Sequence, residues 1–396
     1  MLLPRSCWLA FAASGVGSFV SGQTPPPPTT APTPATPAAP GKAAAPFDVV
    51  IVEGHRAVGN AVVPLAAGGS LVTGYVEDEQ KRAELVATTV ADDGTVGPLL
   101  RFRGEVSAWG WDTVPAPDAG SWVAGFATRA SGGDDMLLLR VDSKGRIVNE
   151  RYFGGGADDR CWAMTTASGD GVVLVGETAS FGGGERDAWI VRTDAAGQEL
   201  WQRTVGGAGT ERVFGVACTD DGGVLTVGLQ KENATAAPRA LVVVLDGNGA
   251  VRQQRAFGPA GTIAHGLAKG PDGTFLVAGY IRSARGDHDA WFACLRADGS
   301  EVWQRTVPDA AETRAMTCAV RVDGSGCAIG YTQQADHFDV FTLPFGKDGT
   351  PAAIEVRKNP GDDRGVDVGC ATSGGLWCTG SFATERGSAW RVWRRL

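Results

Sequence analysis

Residues 187–228 read DAWIVRTDAAGQELWQRTVGGAGTERVFGVACTDDGGVLTVG, and this stretch decides the fold. It holds two short runs rich in Asp and Gly, Asp194–Gly197 and Asp220–Gly223. Such runs supply tight hairpin turns, because those turns demand φ > 0. Between and around them the chain is β-branched and aromatic, as strands require. No apolar 3.6-residue period persists across the glycines, so helix is disfavoured.

The stretch is one copy of a longer unit. A turn, a short apolar strand and a glycine recur as AAGGSLVTG to Gly74, PDAGSWVAG to Gly125, SGDGVVLVG to Gly176, DDGGVLTVG to Gly228, PDGTFLVAG to Gly279, VDGSGCAIG to Gly330 and TSGGLWCTG to Gly380. These marker glycines are spaced by 51, 51, 52, 51, 51 and 50 residues. A second turn glycine follows the same period at Gly94, Gly145, Gly197, Gly249, Gly299 and Gly349. Each unit divides into four strands; in the third they are predicted at Trp162–Ala167, Val172–Gly176, Ala188–Thr193 and Glu199–Val205. Seven four-stranded units of about 50 residues predict an all-β fold, a seven-bladed β-propeller of antiparallel blades.

The second glycine has no seventh copy. The chain ends in Ala389–Leu396, the third strand of blade 7, and a fourth is lacking. Phe47–Val52 is a β-rich segment lying ahead of the first blade. Placed as the outer strand of blade 7 it closes the ring and removes an exposed edge.

The recurring motif is D-A-W-x-x-x-x-D-x-x-G-x-x-x-W-Q-R-T-V-G-G-x-G, then an acidic residue and Arg, then D-G-G-x-L-x-x-G. It resembles the secreted bacterial β-propeller repeat proteins, over residues 47–396. The resemblance implies architecture and a binding or surface role, and it names no ligand. Blades 1 and 2 depart most, lacking the W-Q-R-T strand.

The first 46 residues read differently. Met1–Arg5 carries one positive charge, Cys7–Val20 is moderately apolar, and Ser21 and Gly22 suit cleavage, so residues 1–22 read as a signal peptide. Residues 23–46 hold nine of the 21 prolines and are otherwise mostly Thr and Ala. That composition cannot form a core and reads as an extended linker. Export to the periplasm, cell surface or medium is expected, with no membrane span after signal removal. A net charge of −8 without a long basic run gives no electrostatic footprint for nucleic acid. A monomer is expected.

Function in a propeller lies on its faces. The second-to-third-strand loops vary in length and gather on one face, where variable loops on a rigid scaffold bind. Just before the inner strands stand Arg160, Arg212, Arg314 and Arg364, in Asp159-Arg160, Glu211-Arg212, Thr313-Arg314 and Asp363-Arg364. They are expected to ring the channel mouth, either binding an oxyanion or pairing with acids of adjacent blades. Asp287, His288, Asp336 and His337 precede the third strands of neighbouring blades and could hold a divalent metal if the loops converge. An Asp that caps its own loop is the structural alternative, since Asp134-Asp135 and Arg186-Asp187 stand at the same place in blades 2 and 3. Trp109 and Trp111 depart from the tryptophan pattern and are candidate ligand contacts. The other repeating tryptophans, Trp189, Trp201, Trp291, Trp303, Trp390 and Trp393, read as packing between blades.

Seven cysteines follow Cys7; Cys370 with Cys378, and Cys318 with Cys327, flank hairpins and could pair, or all could be small buried residues. H-E-x-x-H, G-x-S-x-G and G-K-[ST] do not occur. No cofactor is indicated. The sequence reads as a non-enzymatic binding scaffold for a surface protein or glycan. The alternative is a propeller enzyme of quinoprotein dehydrogenase type, whose blade signature Asp194–Trp201 partly matches.

Overall fold

The computed structural model describes residues 45–309 and 311–395. The signal peptide at 1–22, and the linker at 23–46 save for its last two residues, lie outside the described residues.

The described chain forms seven four-stranded antiparallel sheets, a seven-bladed β-propeller. The inner strands are Arg56–Pro64, Ser107–Pro115, Asp159–Thr166, Thr210–Cys218, Thr262–Lys269, Thr313–Val320 and Arg364–Cys370. Blades 1 and 2 are complete although they lack the W-Q-R-T strand. Blade 1 has an outer strand of only three residues, Leu100–Phe102, and blade 6 likewise has Glu355–Arg357.

The ring closes as the tally of turns implied. Phe47–Gly54 lies antiparallel to Gly387–Arg395, in register from Phe47 opposite Arg394 to Gly54 opposite Ser388. Asp48 pairs with Arg391 at 3.2 Å and with Arg357 of blade 6, so the seam is held by charge as well as by the ladder. Phe47 packs edge-on against Trp377, centroids 5.1 Å apart.

The core lies between blades. The second and third strands are buried almost throughout, and residues of adjacent sheets interdigitate, as Met136 and Leu138 do with Cys161, Leu174 and Trp189. Burial of such side chains stabilises the fold by about 1.5–3 kcal/mol each. The W-Q-R-T strand now has a physical reading. Trp189 donates its indole N–H to Gln202 at 2.9 Å, and Trp291 to Gln304 at 3.3 Å, satisfying a buried donor within each blade. Trp201 donates to the Gly247 carbonyl in the next blade's turn at 3.2 Å. The Trp set therefore packs blades, as its periodicity implied.

The cysteines form no disulfide: the seven described thiols are free. Cys378 stands opposite Val368 and Cys327 opposite Ala319, so each hairpin pair is offset along its ladder rather than opposed. Burial pushes the Cys161, Cys318 and Cys378 thiols up, which keeps them protonated and unreactive.

Candidate functional site

Two faces result from the connections. Tight turns occupy one. The second-to-third-strand loops occupy the other, running from two residues at 335–336 to eight at 179–186. The inner strands begin on this loop-rich face.

One position on each inner strand forms the channel mouth: Val58, Trp109, Arg160, Arg212, Ile263, Arg314 and Arg364, each one residue before the partner of a marker glycine. Trp109 thus occupies the arginine position of blade 2; it does not break the repeat. Four of these residues lie on the residue that follows the marker glycine of the preceding blade. Arg160 stands over Phe126 at 5.4 Å, Arg212 meets Glu177 at 3.0 Å, Arg314 stands over Tyr280 at 5.0 Å, and Arg364 over Tyr331 at 5.0 Å.

Three of the four arginines are paired. Arg160 contacts Asp134 at 2.7 Å and Asp158 at 3.0 Å. Glu177, fully buried, is shared by Arg186 at 2.9 Å and Arg212. Arg314 contacts Glu312 at 2.6 Å. These pairs tie blade 2 to 3 and blade 3 to 4. Arg364 is exposed and makes no ion pair among the described residues; its guanidinium lies over Tyr331 and, at 5.1 Å, over Phe338.

Beside Arg364 a cavity of about 470 Å³ opens at the mouth across blades 6, 7 and 1. Arg56, over Tyr75 at 5.6 Å and 3.6 Å from Glu77, forms its other charged wall. Val58, Trp111, Met316 and Val366 line it on the apolar side.

Deeper in the channel each inner strand bulges directly after the marker's partner, and the extra residue points inward: Asn60, Trp111, Trp162, Phe214, His265, Met316 and Val366. The rings touch in series. Trp111 meets Trp162 edge-on at 4.7 Å, Trp162 meets Phe214 at 6.4 Å, and Phe214 stacks on His265 at 5.0 Å. Trp111 is thus a member of this layer, and Trp109 stacks on Phe126 at 4.9 Å. His265 donates from Nδ1 to the Met316 carbonyl at 3.1 Å, and burial lowers its pKa to about 4, so the ring is neutral.

Below the layer a second cavity of about 310 Å³ faces the tight turns and holds Asp112 and Asp367. Asp112 accepts the Met164 N–H of blade 3 at 2.7 Å, and Asp367 accepts the Val62 N–H of blade 1 at 2.8 Å. Burial, with the Asp367 charge adding, raises Asp112 to about 7; burial raises Asp367 to about 6.

The candidate metal residues are placed apart in function. Asp287 accepts from Ser283 and from Arg285 at 3.1 Å. His288 faces Arg314 at 3.1 Å and Glu312 at 3.6 Å, and meets Tyr280 edge-on. Asp336 holds His337 at 3.1 Å in a separate two-residue turn. The described residues contain no group of three or more ligating side chains.

Sequence reasoning passed over Arg56, Tyr75, Tyr331, Asp112 and Asp367. It also passed over the channel layer, whose members recur at the marker period from Asn60 to Val366. That period was the available signal.

No protein-family model matches the chain, and no curated protein matches it. Solved structures are similar in fold. One is puromycin hydrolase, with a TM-score of 0.54 and 14% identity; the match covers 85% of this chain and 51% of that one, so this chain spans about half its length. Another is Sqt1 from Chaetomium thermophilum bound to the N-terminus of the ribosomal protein L10, with a TM-score of 0.51 and 10% identity over 85% of this chain and 96% of that one. A third is YCF48 bound to D1 peptide, with a TM-score of 0.54 and 11% identity over 89% of this chain and 94% of that one. At such identities the likeness establishes one thing, that this chain is a β-propeller.

Proposed function

We propose that this protein is an exported, non-enzymatic binding scaffold that takes a protein partner on its loop-rich face. One observation carries the reading: loops of unequal length, four arginines and an aromatic-lined cavity converge there on a rigid ring. Export rests on the pattern of residues 1–22 and the Pro/Thr/Ala run that follows. Two propellers of similar fold are described as bound to a protein N-terminus and to a peptide, which supports a protein partner over a glycan. The quinoprotein-like stretch Asp194–Trp201 serves a turn and the docking of blades, so it carries no argument for catalysis. Asp194 accepts the N–H groups of Ala196 and Gln198 to hold a turn, and Trp201 docks on the next blade.

The test replaces residues 179–186 and 232–238 of the full chain with two-residue turns like that at 335–336. Both chains are then screened against arrays of envelope proteins and of glycans. Protein ligands of the parent chain are expected to be lost from the shortened one. Ligands that survive this change, yet are lost on charge substitutions in the tight turns, would place binding on the opposite face.

A further inference from the structure

We infer that the cleft across blades 6, 7 and 1 recognises a peptide segment in which a carboxylate adjoins a large apolar side chain, with Arg364 gripping the carboxylate. The inference rests on the scaffold reading and narrows it to one pocket and one chemistry.

Arg364 differs from its equivalents in having no ion pair among the described residues. Its equivalents Arg160, Arg212 and Arg314 each reach a carboxylate. Two residues before Arg160 and Arg314 stand Asp158 and Glu312, and each pairs with its arginine. Asp362 holds the same place before Arg364, but its carboxylate accepts the Phe338 N–H at 3.0 Å and makes no ion pair with Arg364. The guanidinium is instead backed by Tyr331 and Phe338. Aromatic backing fixes the plane of the fork while its N–H edge stays free, the geometry that suits bidentate contact with a carboxylate. Arg56 stands over Tyr75 on the other wall of the cleft, 3.6 Å from Glu77, so Arg364 is the lining arginine without an ion pair among the described residues.

The lining settles the rest of the ligand. Val58, Trp111, Met316 and Val366 offer apolar surface. Three polar side chains of the lining are already committed, while His55 and Asp362 stand exposed at its rim. Asn60 donates to the Gly110 carbonyl, Ser381 donates to the Ala57 carbonyl, and Ser388 serves both the N–H and the carbonyl of Ala57. An acidic sugar would set hydroxyl groups against the wall of Val58, Trp111, Met316 and Val366, where they find no partner, and unpaired buried hydroxyls are costly. An acidic residue beside an aromatic one matches the guanidinium with its carboxylate and the apolar wall with its neighbour's ring.

The experiment titrates the full chain with the blocked tetrapeptides Ac-Gly-Glu-Phe-Gly-NH2 and Ac-Gly-Gln-Phe-Gly-NH2, and with a glucuronate oligosaccharide, by calorimetry. The Glu peptide is expected to bind about tenfold or more tightly than the Gln peptide. Arg364→Gln is expected to abolish that difference, and Arg364→Lys to restore only part of it, because an ammonium lacks the fork. Arg364 is exposed, so an unchanged melting temperature is the check on folding. Equal binding of the two peptides, no binding of either, preference for the oligosaccharide, or a preference that survives Arg364→Gln would each overturn the inference. The cleft draws nothing from residues 179–186 or 232–238, so peptide selectivity should persist in the loop-shortened chain. If Arg364→Gln changes nothing while loop shortening abolishes partner binding, the pocket fails and the scaffold stands. If loop shortening changes nothing while the peptide result holds, the broader use of the loops fails instead.

Discussion

Gly176 shows why one glycine can mark seven blades. A Cβ on it would overlap the carbonyl oxygen of Arg160, on the neighbouring inner strand. The same collision awaits a side chain at Gly74, Gly125, Gly228, Gly279, Gly330 and Gly380, each against the residue at the channel mouth. The cause is the bulge. It draws the inner strand's backbone over the glycine and so throws the next residue into the channel. The marker is therefore needed for close backbone approach, not for its own φ. Gly176→Ala should destabilise the protein by about 2–4 kcal/mol, since backbone must shift to admit the methyl. Calorimetric melting of parent and variant checks this, and an unchanged melting temperature would show that the bulge tolerates a side chain.

At the scale of strands, the inner ring is stitched around its circumference by side chains that reach the next blade. Asn60 donates to Gly110, Asp112 accepts from Met164, His265 donates to Met316, and Asp367 accepts from Val62 across the seam. The two carboxyls titrate in consequence. Burial raises Asp112 to about 7 and Asp367 to about 6, from 3.8. The folded state then holds protons that the unfolded chain has released. Their stabilising contribution is complete below pH about 4 and is lost as pH rises towards 7. Asp112→Asn keeps an oxygen for the Met164 N–H but does not titrate. Relative to the parent, its stability should rise between pH 4 and 8 by on the order of 3–4 kcal/mol. Urea unfolding at the two pH values measures the difference, and parallel pH curves would mean that the carboxyl ionises normally.

The strands and turns were legible in the sequence because their signals are local. Asp194 and Gly197 make a turn by themselves, through the carboxylate that accepts two N–H groups and the φ of +73° at the glycine. The site was legible only in outline. Which side chain an arginine at the mouth lies on depends on the preceding blade, where the residue after the marker glycine is Phe126, Glu177, Tyr280 or Tyr331. That contact joins residues about 35 positions apart and belongs to no single unit, so reading each unit alone misses it. Trp109 and Trp111 looked irregular for the same reason. They stand at regular places on the inner strand, one at the mouth and one in the layer beneath.

The whole molecule depends on one strand that comes from the far end of the described chain. Without Phe47–Gly54, blade 7 would present Gly387–Arg395 as a bare edge, and the ring would lack its link between first and last blades. That segment leads through His55 directly into the inner strand of blade 1, so closing blade 7 also anchors the start of the ring. The two walls of the Arg364 cleft, one from blades 6 and 7 and one from blade 1, face each other only when this seam is shut. Hydrogen exchange of the full chain, followed by mass spectrometry, tests the closure most directly. The account predicts that the amides of residues 48–54 that face Gly387–Arg395 exchange as slowly as the amides of that strand, to which they are paired. Complete exchange of residues 48–54 within seconds, with the rest of blade 7 protected, would contradict it.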